Sequence, residues 1–155
     1  MLENQNKNVE IHLQTISLGN TFEVESGTVL LVIGSNNSNG FNVNIADVTN
    51  LNNDISIPGY LLIIKRTDNG QIILGKAEED VESDKGKYEV EIEKTRGQLE
   101  NIEDGKELKL TVGMDVQNIA VHDKEEKNGF ILKVVGDNRF KLAGILTNGR
   151  WNKSS

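Results

Sequence analysis

The chain has 155 residues, no cysteine, 5% aromatic residues and a formal charge of −7. Without thiols it has no disulfide, thiolate nucleophile or cysteine-based zinc site. Without a basic stripe it lacks the phosphate-neutralising surface that supplies most nucleic-acid affinity. The longest unbroken apolar runs, Val29 to Ile33 and Tyr60 to Ile64, are five residues each, too short to span a membrane. A chain of this size fits one domain and buries roughly 70% of its unfolded surface.

Residues 1–8 are polar, with no apolar stretch behind a basic start. They read as a tail and not as a secretory leader, so the expected place of synthesis is the cytoplasm. A single all-β domain is expected over residues 9–151, followed by a short tail at 152–155. Val9, Ile11 and Leu13 alternate with Glu10, His12 and Gln14, the period-2 pattern of a strand with one buried and one wet face. Phe22 and Val24 repeat it. Thr28 to Ile33 is apolar on both faces, which predicts a central strand covered from two sides. Gly34 to Gly40 carries no apolar side chain and is expected to be a surface loop.

Phe41, Val43 and Ile45 alternate with polar or small neighbours, predicting a strand, and Asp47 to Asp54 has the Asn and Asp density of a loop. Tyr60 to Lys65 and Gln71 to Leu74 flank Thr67-Asp68-Asn69-Gly70, a hairpin. Residues 76–87 are almost wholly charged and mark an internal boundary or a long exposed loop. Tyr88, Val90 and Ile92 alternate with Glu89, Glu91 and Glu93, and Leu108, Leu110 and Val112 alternate with polar residues. Gln98 to Glu103 between them reads as one helical turn. Ile119 to His122, Phe130 to Val135 and Phe140 to Leu146 bring the total to about ten strands. Regular spacing of short strands predicts an antiparallel β-sandwich or jelly-roll-like barrel with little helix. Four Asn-Gly dipeptides, at residues 39–40, 69–70, 128–129 and 148–149, reinforce that reading, because both residues accept the φ > 0 of a type I′ hairpin turn.

The chemistry-bearing residues are few. His12 and His122 are the only histidines; both are read as surface side chains, since no nucleophile motif accompanies the His122-Asp123 pair. Glu89, Glu91 and Glu93 share one strand face at about 7 Å intervals, and are read as a cross-strand charge ladder facing Lys106 and Lys109. Asp47, Asn50, Asn53 and Asp54 offer hard oxygen ligands in a spacing that matches no calcium loop. No catalytic residue, metal site or cofactor is therefore predicted, and the chain is read as not an enzyme. Trp151 is the only tryptophan and adjoins Arg150. Both residue types are enriched at binding hot spots, so Arg150 and Trp151 are candidate partner-binding residues; the alternative is that Trp151 folds back and closes the core. Asn36, Asn37 and Asn39 in the polar loop are further candidates.

These features lead to a non-enzymatic interaction module, self-associating or built into a larger assembly of protein subunits. Asn-rich, cysteine-free, aromatic-poor β proteins of this size share the texture of bacteriophage virion parts such as tail-fibre, baseplate or capsid decoration modules, a compositional analogy only. The alternative is a small-ligand binder for a glycan or a nucleotide-like molecule. A hydrolase using His122 and a nearby carboxylate is the least favoured. No nucleic-acid partner and no membrane insertion are expected.

Overall fold

The computed structural model describes residues 13–37, 40–48, 59–76, 88–110 and 116–154. Among these residues there are thirteen β-strands and no helix. They are β1 (Gln14–Ile16), β2 (Thr21–Glu23), β3 (Val29–Asn37), β4 (Gly40–Val48), β5 (Tyr60–Arg66), β6 (Ile72–Lys76), β7 (Tyr88–Lys94), β8 (Leu99–Ile102), β9 (Glu107–Leu110), β10 (Val116–Asp123), β11 (Gly129–Val134), β12 (Arg139–Thr147) and β13 (Arg150–Lys153). No described helix is long and apolar enough to cross a membrane. Two antiparallel sheets pack face to face as a sandwich that does not close into a barrel. Sheet A has the order β1-β4-β3-β5-β6-β9, and sheet B the order β13-β12-β11-β10-β7-β8, with β2 paired to the other half of the β12 edge.

Period-2 alternation fixes which side chains meet. Leu30, Val32, Phe41, Val43, Leu62 and Ile64 of sheet A face Val90, Ile92, Ile119, Val121, Phe130, Leu132, Phe140 and Leu142 of sheet B in one buried cluster. Phe22 stacks on Phe140 with ring centres 5.7 Å apart, and Tyr60 stacks on Tyr88 at 5.3 Å. β3 is apolar on both faces as its sequence requires: Leu31 and Ile33 belong to a second buried cluster with Ala46, Val48 and Leu61.

Several sequence expectations are corrected. The strand expected to include Leu13 begins at Gln14, and Leu13 is 55% exposed; residues 9–12, His12 among them, lie outside the described residues. The polar stretch 34–40 is mostly strand. Gly34 pairs with Val43, Ser35 with Asn42 and Asn36 with Phe41, down to Asn37 with Gly40. Ladder hydrogen bonds to β4 hold this backbone extended whatever the polarity of its side chains. Residues 99–102 form β8, not a helical turn, because Leu99 to Ile102 pair with Glu93 to Val90 of β7. Lys76, read as the start of an exposed charged segment, ends β6 and is 4% exposed; residues 77–87 are outside the described set, as are 49–58.

The Asn-Gly dipeptides do not behave alike. Asn148 and Gly149 have φ of 50° and 81° and form the two-residue type I′ turn joining β12 to β13, with Thr147 opposite Arg150. At Asn69-Gly70 only the glycine has positive φ, and Thr67 accepts from Gly70 N at 2.9 Å, a longer connection with a glycine bulge. Asn128-Gly129 is not a turn: Gly129 is the first residue of β11, opposite His122. At 39–40 only Gly40, with φ 115°, is described.

Candidate functional site

The outer face of sheet B carries one residue per strand in rows that run across the strands, and the pairing register places them. The middle row is Asn101, Glu91, Ala120, Ile131, Gly144 and Lys153. On one side of it run Leu99, Glu93, Asn118 and Lys133; on the other run Glu89, His122, Gly129, Leu146 and Trp151. A β-bulge at Ile131/Leu132 inserts Ala143 beside Gly144, which bends the strand locally. The small residues Ala120, Ala143 and Gly144, with larger side chains around them, leave a groove of about 410 Å³. Its lining includes Glu91, Glu93, Leu99, Asn118, Ala120, His122, Ile131, Ala143, Trp151 and Lys153.

Trp151 defines one end. A Cβ built on Gly144 would lie 3.3 and 3.4 Å from two carbons of the indole ring, so the ring lies over the glycine backbone across β12. It neither closes the core nor stands free. Arg150, next to it, is exposed and not part of the groove, since successive strand residues point to opposite faces. β13 also runs through Asn152 and Lys153, two residues into the segment read as a tail.

His122 is 6% exposed, a correction to its reading as a surface side chain. Its Nδ1–H donates to the Asp123 backbone carbonyl at 2.8 Å, which leaves Nε2 without a partner among the described residues. The Asp123 carboxylate is spent elsewhere: it accepts from Lys127 N at 2.7 Å and Asn128 N at 3.1 Å, and from the Tyr60 hydroxyl at 3.4 Å. The chain neighbours His122 and Asp123 are thus not a side-chain pair: the backbone carbonyl, and not the carboxylate, orients the imidazole. Burial, and after it the Asp123 charge, push the Tyr60 phenol up to about 12.

The glutamate ladder is also corrected. β7 lies between β10 and β8, whereas Lys106 and Lys109 belong to the β9 region of sheet A. Glu89, Glu91 and Glu93 instead stand opposite His122, Ala120 and Asn118. Asn118 Nδ2 donates to Glu93 Oε1 at 2.6 Å, and Glu107 on β9 pairs with Lys65 at 2.7 Å.

A second concavity, about 400 Å³, lies near one end of β7 and β8 and is lined by Lys76, Tyr88, Glu89, Asn101, Asp104 and Lys124 among others. Lys76 forms an ion pair with Asp104, and its ammonium sits 4.5 Å from the Tyr88 ring centre. Its charge is compensated within the fold, as a buried lysine requires.

Of the sequence candidates, Asn36 and Asn37 lie on β3 of sheet A, away from the groove, with Asn36 exposed; Asn39 is outside the described residues. Asp47 is exposed on β4, and Asn50, Asn53 and Asp54 are outside. No cluster of three metal-ligating side chains occurs among the described residues. The groove gathers His122, Glu91, Glu93 and Trp151, which the sequence presents separately. It adds Asn118, Ala120, Ile131, Ala143 and Lys153, none of which carries a local signal. Comparison with protein-family models, curated proteins and solved structures returns no match for this chain.

Proposed function

We propose that this chain is a non-catalytic binding module whose groove on sheet B holds a polar ligand of the glycan class. The observation that carries the reading is the lining itself. An indole ring and alanine and isoleucine side chains supply apolar area for the C–H face of a sugar, and Glu91, Glu93, Asn118 and His122 Nε2 supply planar hydrogen-bonding groups for its hydroxyls. A peptide fits less well, because the backbone groups of the floor are committed to the sheet and offer nothing to a peptide's own N–H and C=O. A nucleotide or other polyanion would meet Glu89, Glu91 and Glu93 in a row.

The strand edges point the same way. The outermost strands β1, β9, β8 and β13 are three or four residues long, and three of them carry charged side chains, the usual protection against edge-to-edge pairing. Recognition is therefore assigned to a face and not to strand addition. The test is binding to an immobilised panel of neutral, amino and acidic polysaccharides, with Trp151→Ala and Ala120→Leu as variants. Retention of a neutral or amino polymer by the native chain, lost in both folded variants, supports the reading; no retention of any polymer refutes it.

One observation favours a second reading, a component of a homo-oligomeric or virion assembly. Glu89, Glu91 and Glu93 lie at one side of the sheet B face, and Lys133 and Lys153 lie at the other. A two-fold axis along the strands would set acidic on basic between two copies. Light scattering decides it: a mass of twice 17.2 kDa that falls to one copy at high salt supports this reading, and a monomer at every concentration removes it.

A further inference from the structure

The groove has a direction and a length, and both constrain the ligand. Apart from Glu126 and Ser154, its lining residues come from β8, β7, β10, β11, β12 and β13, so its long axis crosses six strands. Five strand spacings at roughly 4.8 Å give about 24 Å, the span of four to five pyranose units at roughly 5 Å each. Both ends of the groove are sheet edges, since β8 and β13 are terminal strands, and Leu99 at the β8 end is 59% exposed. Among the described residues, neither end carries a wall of the kind that would enclose a chain terminus.

Resting on the glycan reading, we infer that the groove binds an internal stretch of an extended, unbranched polysaccharide, about four units long, laid across the strands. Its contacts would come strand by strand: Leu99, then Glu91 and Glu93 flanking the path on β7, then Ala120 with Asn118 and His122 on either side, then Ile131, Ala143 and the Trp151 ring. One strand spacing matches one sugar unit, so each strand addresses roughly one residue of the ligand. Equatorially linked chains, which stay straight, suit this row better than linkages that coil.

Titration calorimetry on the full chain with β-1,4-linked gluco-, xylo-, manno- and N-acetylglucosamine oligosaccharides of one to six units tests this. Each series is run native and with its reducing end converted to the alditol. The expected result is that in at least one series affinity rises about a hundredfold from the monosaccharide to four or five units and then levels, with end reduction making less than a twofold difference at five units. Full affinity at one or two units, or loss on end reduction, overturns the inference while leaving the glycan reading intact. So does retention of panel polysaccharides with no binding of any of these series. No binding to oligosaccharides or panel alike removes both.

Discussion

Two glycines on the outer face of sheet B receive the same substitution with opposite expected outcomes. At Gly129 a Cβ would run into the Val121 carbonyl oxygen and lie 2.6 Å from His122 Cβ and 2.7 Å from His122 Cα. These are mostly backbone atoms of the paired strand β10, so relief requires separating β10 from β11. Overpacking of this kind costs typically 1–3 kcal/mol, and the rigid neighbours place Gly129→Ala near the top, at about 3 kcal/mol. At Gly144 the nearest atoms are two Trp151 ring carbons at 3.3 and 3.4 Å and a backbone oxygen at 3.6 Å. The ring belongs to an edge strand and can lift by a few tenths of an ångström. Relief of unfolded-chain entropy returns about 0.4–1 kcal/mol, so Gly144→Ala should stay within about 0.5 kcal/mol of the native chain. In urea, with a slope of about 2 kcal/mol/M, the midpoint of Gly129→Ala should fall by about 1.5 M, and that of Gly144→Ala by less than 0.3 M. Equal midpoints for the two variants would refute the register that sets Gly129 against His122, and with it the rows from which the groove is built.

Three other outcomes follow from particular contacts. Asn148→Ala should cost about 1 kcal/mol, because φ of 50° suits asparagine better than alanine; a matched urea melt checks it. For Tyr60, the folded phenol titrates at about 12 against about 10 unfolded. Below pH 10 its contribution is fully present, and between pH 10 and 12 the unfolded chain loses its proton first, so that contribution is lost. The stability difference between the native chain and Tyr60→Phe should be constant up to pH 10 and shift in favour of phenylalanine above it; a pH-independent difference would contradict the assignment. Asn118→Ala frees the Glu93 carboxylate it holds at 2.6 Å, and should weaken ligand binding about tenfold, one charged-group hydrogen bond's worth, with a melting temperature changed by less than about 2 °C.

Much of the architecture is legible in the sequence because burial writes itself as alternation. Tyr88-Val90-Ile92 and the doubly apolar Leu30 to Ile33 sit where their patterns place them. Pattern fails where the backbone is held by a neighbour: Ser35 and Asn36 are strand because β4 pairs with them, and Leu99 to Ile102 are strand because β7 does. It fails again for partners, since nothing local says that β7 joins β10 and not β9. The groove shares that second blindness. It is assembled from one or two residues on each of six strands, and Ala120, Ile131 and Ala143 acquire meaning only once the register sets them in line. Trp151 was visible by composition, but the glycine that lets it lie flat, Gly144, was not.

Mapping backbone amide shifts while titrating a polysaccharide retained by the native chain decides whether ligand recognition belongs to the outer face of sheet B. The expected perturbations gather on Glu91, Asn118, Ala120, His122 and Ile131 and on the Trp151 indole. Perturbations centred on sheet A, or on the Asn36 end of β3, would contradict it.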